Sequence, residues 1–537
     1  MNTSDPSKLT EVVPANEPRP EIPEPIVPKA RTGRWWDPLW WRAHWMLPNF
    51  IPPQYRSDRN YERERDQKDN QRSRVPEELK LRVHMVWGIE LYGPTEIENL
   101  YAGLRKLGWG SIAWSDQNVM DWIQQQRSYG SGGWFNVGPV LRRGKRGKSV
   151  FIQNFATLPE QVESLIVRAV QISASLTAMH VGFRLTESAA RRYEEALNLN
   201  CITYRKRNRR PNSISIVGVE LQKRQAVETV RADLRRMVGN WFEQYLPGFF
   251  ASLKHPAAFP TTELLMVENG PVLQAPADEP QSGYLNWRRL LGNTAPHRVW
   301  TCTDTPGLQL SMDRYSDEKE GRHIVVALDA ATFPLERHGN SPEKTPHYYT
   351  FACDELLDGM LVHAATIEYL KEQKRDLSNT RENLKRARSS RRGVARTLRG
   401  IGLFFDRTLG SPATTRELAR KAEQAGWYRH DCPTFTAPSW MRGDKPCELS
   451  EEIRGAVHAL ATRLIEEEAS IREHFQQLSA ILSVQESIKA QRRMEWLTIA
   501  ALVVAFASLI AAVIPGKRLL NGLNAAWRSS VSTDRQP

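Results

Sequence analysis

Three short constellations carry residue types from which chemistry could be built. Arg454-x-x-x-His458 sets a guanidinium and an imidazole one helical turn apart, a pairing that can serve RNA cleavage. His430-Asp431-Cys432 places a nucleophile beside a base, but residues adjacent in a loop seldom point at one another. Gly130-Ser-Gly-Gly133 offers a flexible turn without the Lys-Ser/Thr and helix of a phosphate-binding loop. Neither G-x-S-x-G nor H-E-x-x-H occurs. Each constellation reads more simply as an exposed helix face or a loop. No catalytic, cofactor-binding or metal-ligating residue is therefore assigned, and the chain is not read as an enzyme.

Two basic runs are better candidates for contact with an anionic partner. They are Arg142, Arg143, Lys145, Arg146 and Lys148, and then Arg205, Lys206, Arg207, Arg209 and Arg210. A third lies within Lys385–Arg399. Such runs are commonly solvated faces; they could also meet nucleic acid or anionic lipid, to which the net charge of +13 is suited. Trp35, Trp36, Trp40, Trp41 and Trp45, interleaved with arginines, read as a hydrophobic strap or as interfacial membrane anchors.

The segment that must position everything else is Trp496–Ile514, uncharged, with only Thr498 and Ser508 polar. At about 1.5 Å per residue it nearly crosses a hydrocarbon core of roughly 30 Å. Arg492 and Arg493 precede it and Pro515-Gly516-Lys517-Arg518 follow, so charged and aromatic anchors flank a single transmembrane helix. Trp496, Leu502, Phe506, Ile510 and Ile514 are its lipid-facing candidates. The first thirty residues hold no apolar run of a secretory signal, which favours an N-terminal bulk in the cytoplasm of a bacterial-type inner membrane. The five cysteines are scattered without a C-x-x-C pair, in keeping with a reducing compartment.

Ahead of the span, composition divides the chain. Residues 1–33 are a Pro-rich tail expected to be disordered, and 34–76 a Trp-rich strap followed by a charged linker. Residues 77–350 read as an α+β domain with a mostly antiparallel or mixed sheet. Its first strand is marked by alternating Leu81, Val83, Met85, Trp87, Ile89 and Leu91, and a capping box Thr95-x-x-Glu98 opens the next helix. Residues 134–155 read as a hairpin with the first basic run at its tip, and 213–221 as a strand before a long helix. Gly88-Ile-Glu-Leu91, Gly182-Phe-Arg-Leu185 and Gly218-Val-Glu-Leu221 hint at a repeated strand end.

Residues 354–448 form a helical hairpin and connector, with Leu356, Leu370, Leu377 and Leu384 at heptad spacing. Ser450, with Glu451 and Glu452 behind it, should cap a coiled-coil stalk over 450–495 whose seam includes Ile453, Val457, Leu460, Leu464, Ile471 and Ile488. Stalk and span (496–514) read as one helix of about 95 Å, with 515–537 a short basic tail.

The run Arg493-Met-Glu-Trp-Leu-Thr-Ile499, following a helical hairpin and a long helix, resembles the stalk-to-membrane junction of CorA-type divalent-cation channels. That family's Gly-Met-Asn loop and second span are absent, Pro515-Gly516 standing there instead, so no ion-binding residue is carried over. The expected protein is a self-associating, single-pass membrane protein that couples a cytoplasmic sensing or binding domain to the bilayer. The alternative is a tethered nucleic-acid-binding protein or enzyme.

Overall fold

The computed structural model describes residues 37–47, 50–51, 56–109, 118–130, 132–144, 154–207, 214–254, 259–273, 286–291, 298–312, 323–337, 344–387, 411–439, 441 and 443–530. The described residues divide into two compact units, one drawn from within 1–64 and 203–217 and the other from within 65–202 and 218–530.

The smaller unit contains helix α1 (Asp37–Met46), the start of α2 (Arg56–Arg72), and a later hairpin. The larger unit continues with β1 (Arg82–Tyr92), α3 (Ile97–Leu107), α4 (Val119–Tyr129), β2 (Gly133–Arg142), β3 (Asn154–Ala156), β4 (Val162–Ser173) and β5 (Leu176–Leu185). Then come α5 (Glu187–Ala190) and α6 (Arg192–Asn198), the smaller unit's hairpin β6 (Tyr204–Arg207) and β7 (Ile214–Val217), α7 (Val219–Tyr245) and α8 (Phe249–Ser252). Next are β8 (Thr261–Val267), α9 (Trp287–Leu291), β9 (Val299–Cys302), β10 (Leu308–Met312), β11 (His323–Asp329) and α10 (Pro346–Ala387). The chain closes with α11 (Ser411–Glu423), α12 (Ala425–Asp431), β12 (Phe435–Ala437), β13 (Cys447–Glu448) and α13 (Leu449–Ser530).

The domain is a mixed α/β fold on an eleven-stranded sheet, ordered β13-β12-β9-β10-β11-β8-β1-β5-β4-β2-β3. Only β8–β11 and β2–β3 pair in parallel. The alternation that marks β1 suits a half-buried strand, yet ten of its eleven residues are buried. Helices cover both faces: α7 and α8 lie on one, α10 on the other, with α13 packed along α10. Side chains separate accordingly. Gly88 faces α7, where an added Cβ would collide with Val238 and lie 3.0 Å from Phe242. Trp87, the next residue back, points to α10 and donates to Asp354 there.

Several expectations are corrected. Residues 134–155 are not a hairpin: β2 and β3 run parallel, and β2 instead pairs antiparallel with β4. The β4–β5 hairpin supplies the long central strands. Gly218-Val-Glu-Leu221 begins helix α7, so the repeated strand end holds only for β1 and β5, which are neighbours. Thr95 does not cap α3; Glu96 Oε2 accepts the Gly93 N–H at 3.0 Å instead. Ser450 likewise lies inside its helix and donates to Glu448. The charged run 57–74, which reads as a solvated linker or a short exposed helix, lies mostly on helix α2, and Asn70 exchanges two hydrogen bonds with the Cys201 backbone. Finally, α13 does not stop at Pro515-Gly516 but continues to Ser530. A proline removes one hydrogen bond and favours a kink, which a long helix can absorb without ending.

Two glycine-to-alanine changes separate packing from propensity. Gly88→Ala should destabilise by about 1–3 kcal/mol through overpacking against α7. Gly455→Ala, on α13 with nothing within 4 Å of the added methyl, should stabilise by roughly 0.5–1 kcal/mol. Thermal or urea midpoints of the two variants, moving in opposite directions, check both.

Candidate functional site

Where α10 crosses the sheet, four buried side chains with polar chemistry (Trp87, Arg168, His180 and Asp354) meet, with half-buried Asp358 at their edge. Arg168 on β4 and His180 on β5 are cross-strand partners, so they project side by side from the same face. Trp87 on β1 stands opposite Gly182 on β5. A Cβ at Gly182 would lie 3.0 Å from Met85 Sδ, 3.1 Å from Asp354 Oδ1 and 3.2 Å from Trp87 Cδ1. The missing side chain is thus what lets α10 bring Asp354 down to the sheet.

Asp354 Oδ1 accepts the Trp87 indole N–H at 2.8 Å, and Oδ2 lies 3.2 Å from an Arg168 nitrogen. A second Arg168 nitrogen donates to Asp358 Oδ2 at 2.6 Å, one turn further along α10. His180 Nδ1 stands 3.8 Å from Asp354 Oδ1, beyond hydrogen-bonding distance. Neither ring nitrogen of His180 has a hydrogen-bond partner among the described residues, although the ring is fully buried. Burial pushes the Asp354 carboxyl up to about 6 against the opposing pull of Arg168 and the Trp87 bond. Burial also pushes His180 down to about 4, with Asp358 pulling it up and Arg168 pushing it further down. With both carboxylates ionised and His180 neutral, the cluster holds one guanidinium against two negative charges.

The opposite face carries a second cluster with a different balance. Glu263 on β8 receives Arg231 at 2.8 and 3.1 Å, the Tyr193 hydroxyl, and has His323 Nε2 at 2.8 Å. Burial raises its pKa, but Arg231 and His323 outweigh that and hold it at about 2. This carboxylate is well supplied with donors, and its role is to tie β8 and β11 to α6 and α7.

The candidates read from sequence are distributed differently. Gly130 ends α4 in a left-handed cap, its N–H donating to Gln126, so it serves a helix end. Arg454 pairs with Glu451 at 2.6 Å and donates to the Ala422 carbonyl, while His458 is exposed. Asp431 is taken by His363 at 3.0 Å, and burial pushes the Cys432 thiol up, away from the thiolate a nucleophile needs. Arg142 donates to the carbonyls of Leu158, Pro159 and Val162 at 2.8–2.9 Å, which commits it to the loop before β4. Arg143 is exposed. Lys145, Arg146 and Lys148 lie outside the described residues, as do Arg209 and Arg210. Arg205, Lys206 and Arg207 lie on β6, with Lys206 exposed. Trp35 and Trp36 fall outside the description; Trp40, Trp41 and Trp45 are on α1, and Trp40 is exposed.

A cleft of about 840 Å³ opens between α7 and the 157–161 loop. Arg192 and Arg236 share Asp233 there at 2.7 and 3.1 Å, and exposed Glu160 balances the remaining charge. Its formal charges cancel, so nothing in it selects a class of ligand.

None of Arg168, His180, Asp354 or Asp358 stood out in sequence. The usable signal was the histidine inside the otherwise apolar stretch Ala178-Met-His180-Val181.

Glu263→Gln should lower stability by roughly 3 kcal/mol at neutral pH, from a carboxylate pKa held about 2.5 units below its ordinary value. That contribution is fully present above about pH 4.5 and is lost as pH falls towards 2, so the variant's deficit in thermal midpoint should shrink below pH 4.5. Asp354→Ala, which leaves the buried Trp87 indole N–H without its acceptor, should cost about 1–3 kcal/mol; chemical denaturation of the full chain in detergent measures it.

The chain matches no protein-family model, no curated protein and no solved structure.

Proposed function

We propose that this is a single-pass membrane-anchored protein whose α/β domain senses or binds a signal and passes it through α10 and α13 to the bilayer. The observation that carries this reading is the division of α13 between two environments. Ile453, Val457, Ala461, Leu464 and Ile471 are buried at the domain end of the helix. Further along, Ser487–Ile510 is a 24-residue stretch long and apolar enough to cross a membrane, and it is entirely uncovered. Trp496, Leu502 and Phe506 are each more than 60% exposed and Ile510 is 47% exposed; the Ile514 side chain lies outside the described residues.

The polar members of the stretch fit a hydrocarbon solvent. Thr498 Oγ1 donates to the Met494 carbonyl and Ser508 Oγ to Val504, each at 2.8 Å, so neither hydroxyl needs water. An apolar helix surface of this length in water would promote aggregation, whereas lipid covers it without any further protein. At about 1.5 Å per residue, the 82 residues of α13 extend roughly 120 Å. Spans of neighbouring copies would pack through Ala500, Ala501, Ala505, Ser508, Ala511 and Ala512, giving a homo-oligomer. The domain lies on the cytoplasmic side in this reading.

Fractionation tests it. The full chain should sediment with membranes and resist alkaline carbonate, while a chain ending at Glu486 should be soluble with its α/β domain folded. Full-length protein that is released by carbonate defeats the anchor.

A further inference from the structure

The apolar face of α10 would be satisfied by hydrophobic contacts alone, yet the helix is fastened to the sheet by an under-neutralised ionic cluster. Asp354 is 0% exposed and accepts from Trp87 while it pairs with Arg168. His180, also 0% exposed, is 3.8 Å away with both ring nitrogens unpartnered. A buried polar group without a partner is unfavourable, so the arrangement holds an unmet interaction beside an excess negative charge. One proton relieves both.

We propose that Asp354 and His180 form a single-proton latch between the sheet and α10. In the state described here Asp354 is a carboxylate, held by Trp87 and Arg168. Uptake of one proton from solvent makes it a carboxylic acid, whose O–H donates to the lone pair of a His180 ring nitrogen after a shift of about 1 Å towards normal hydrogen-bond distance. No bond other than O–H is made. Arg168 then keeps Asp358 as its only ionic partner, and the cluster becomes neutral. Asp358, whose side chain is 21% exposed, marks the edge through which the proton enters.

The groups facing the pair are few. β4 brings Arg168, β5 brings His180, β1 brings only Trp87, and α10 itself adds Cys353 and Asp358. From the Leu335–Arg337 turn, Leu335 packs in while Glu336 is exposed. α12 contributes Asp431, already taken by His363, and α13 meets α10 through buried Ile453, Val457 and Leu464. The tie to Arg168 is replaced by a direct Asp354–His180 hydrogen bond in a neutral cluster, so the proton fastens α10 to β5, and with it steadies the start of α13. Only this last link rests on the membrane reading above.

The latch predicts a local response with little global trace. The depressed His180 pKa makes acid destabilising below about pH 6.5, whereas the raised Asp354 pKa makes it stabilising from about pH 6 down to 4. The two oppose over one window, so the thermal midpoint is the wrong readout. Hydrogen exchange on the full chain in detergent, corrected for intrinsic rates, is the right one. Amides of residues 350–362 should exchange at least twofold slower at pH 5.5 than at 7.5. Asp354→Asn, a neutral amide in the same place that can donate to His180, should exchange slowly at both pH values. Should that variant fold poorly, His180→Gln, which keeps the ion pairs but removes the imidazole acceptor, should move the transition at least half a pH unit lower. Corrected exchange that ignores pH in the wild type, or a pH response unchanged in His180→Gln, overturns the latch. Fractionation of the same samples reports separately on the anchor.

Discussion

The architecture hangs on how closely α10 can approach the sheet. That approach exists because Gly182 presents no side chain where Trp87, Met85 and Asp354 converge. With α10 seated there, its outward side forms the surface on which α13 packs, and α13 is the only route to the apolar stretch beyond residue 487. A bulkier residue at 182 would displace α10 from the sheet, and the displacement would fall on the element that carries the span. The close contact is therefore where the chemistry of the sheet and the mechanics of the long helix share the same few atoms.

The two faces of the sheet handle buried charge in opposite ways. On the α7 face Glu263 is surrounded by Arg231, Tyr193 and His323, so its charge is matched and its pKa falls. On the α10 face one guanidinium serves two carboxylates, and a histidine beside them bonds to neither. A matched buried pair is costly to break and therefore inert, whereas an unmatched one sits near a change of protonation. Stability is thus concentrated on the α7 face, and susceptibility is found on the helix along which α13 packs.

What was legible in sequence is what depends on local pattern. β1 was marked by alternation, and the continuity of α13 through stalk and apolar stretch by its unbroken pattern up to Pro515. What was hidden depends on partners distant in the chain. β4 is buried on nearly every residue, so its period is blurred, and the parallel pairing of β2 with β3 is set by β4 lying on the other side of β2. Strands β12 and β13 add to the sheet from within a region that reads as helical connector. Asp354 and His180 are 174 positions apart in the sequence, and no spacing rule connects them. The apolar seam of α13 was visible, but its cover was not: among the described residues it buries against α10, α11 and α12 of the same chain.

That last point bears on what α13 can transmit. Among the described side chains its seam is buried at Ile453, Val457, Leu464 and Ile471, and Val484 and Ile488 are exposed. Between them Arg472 pairs with Glu468 on the helix's own surface, a contact that favours helix without requiring a partner. A continuous helix held at one end by a packed domain behaves as a lever. A change in how α10 seats its first turns is then expressed as tilt or rotation of the apolar stretch 487–510. The stiffness of such a helix is what makes a small change near Asp354 consequential far along the chain.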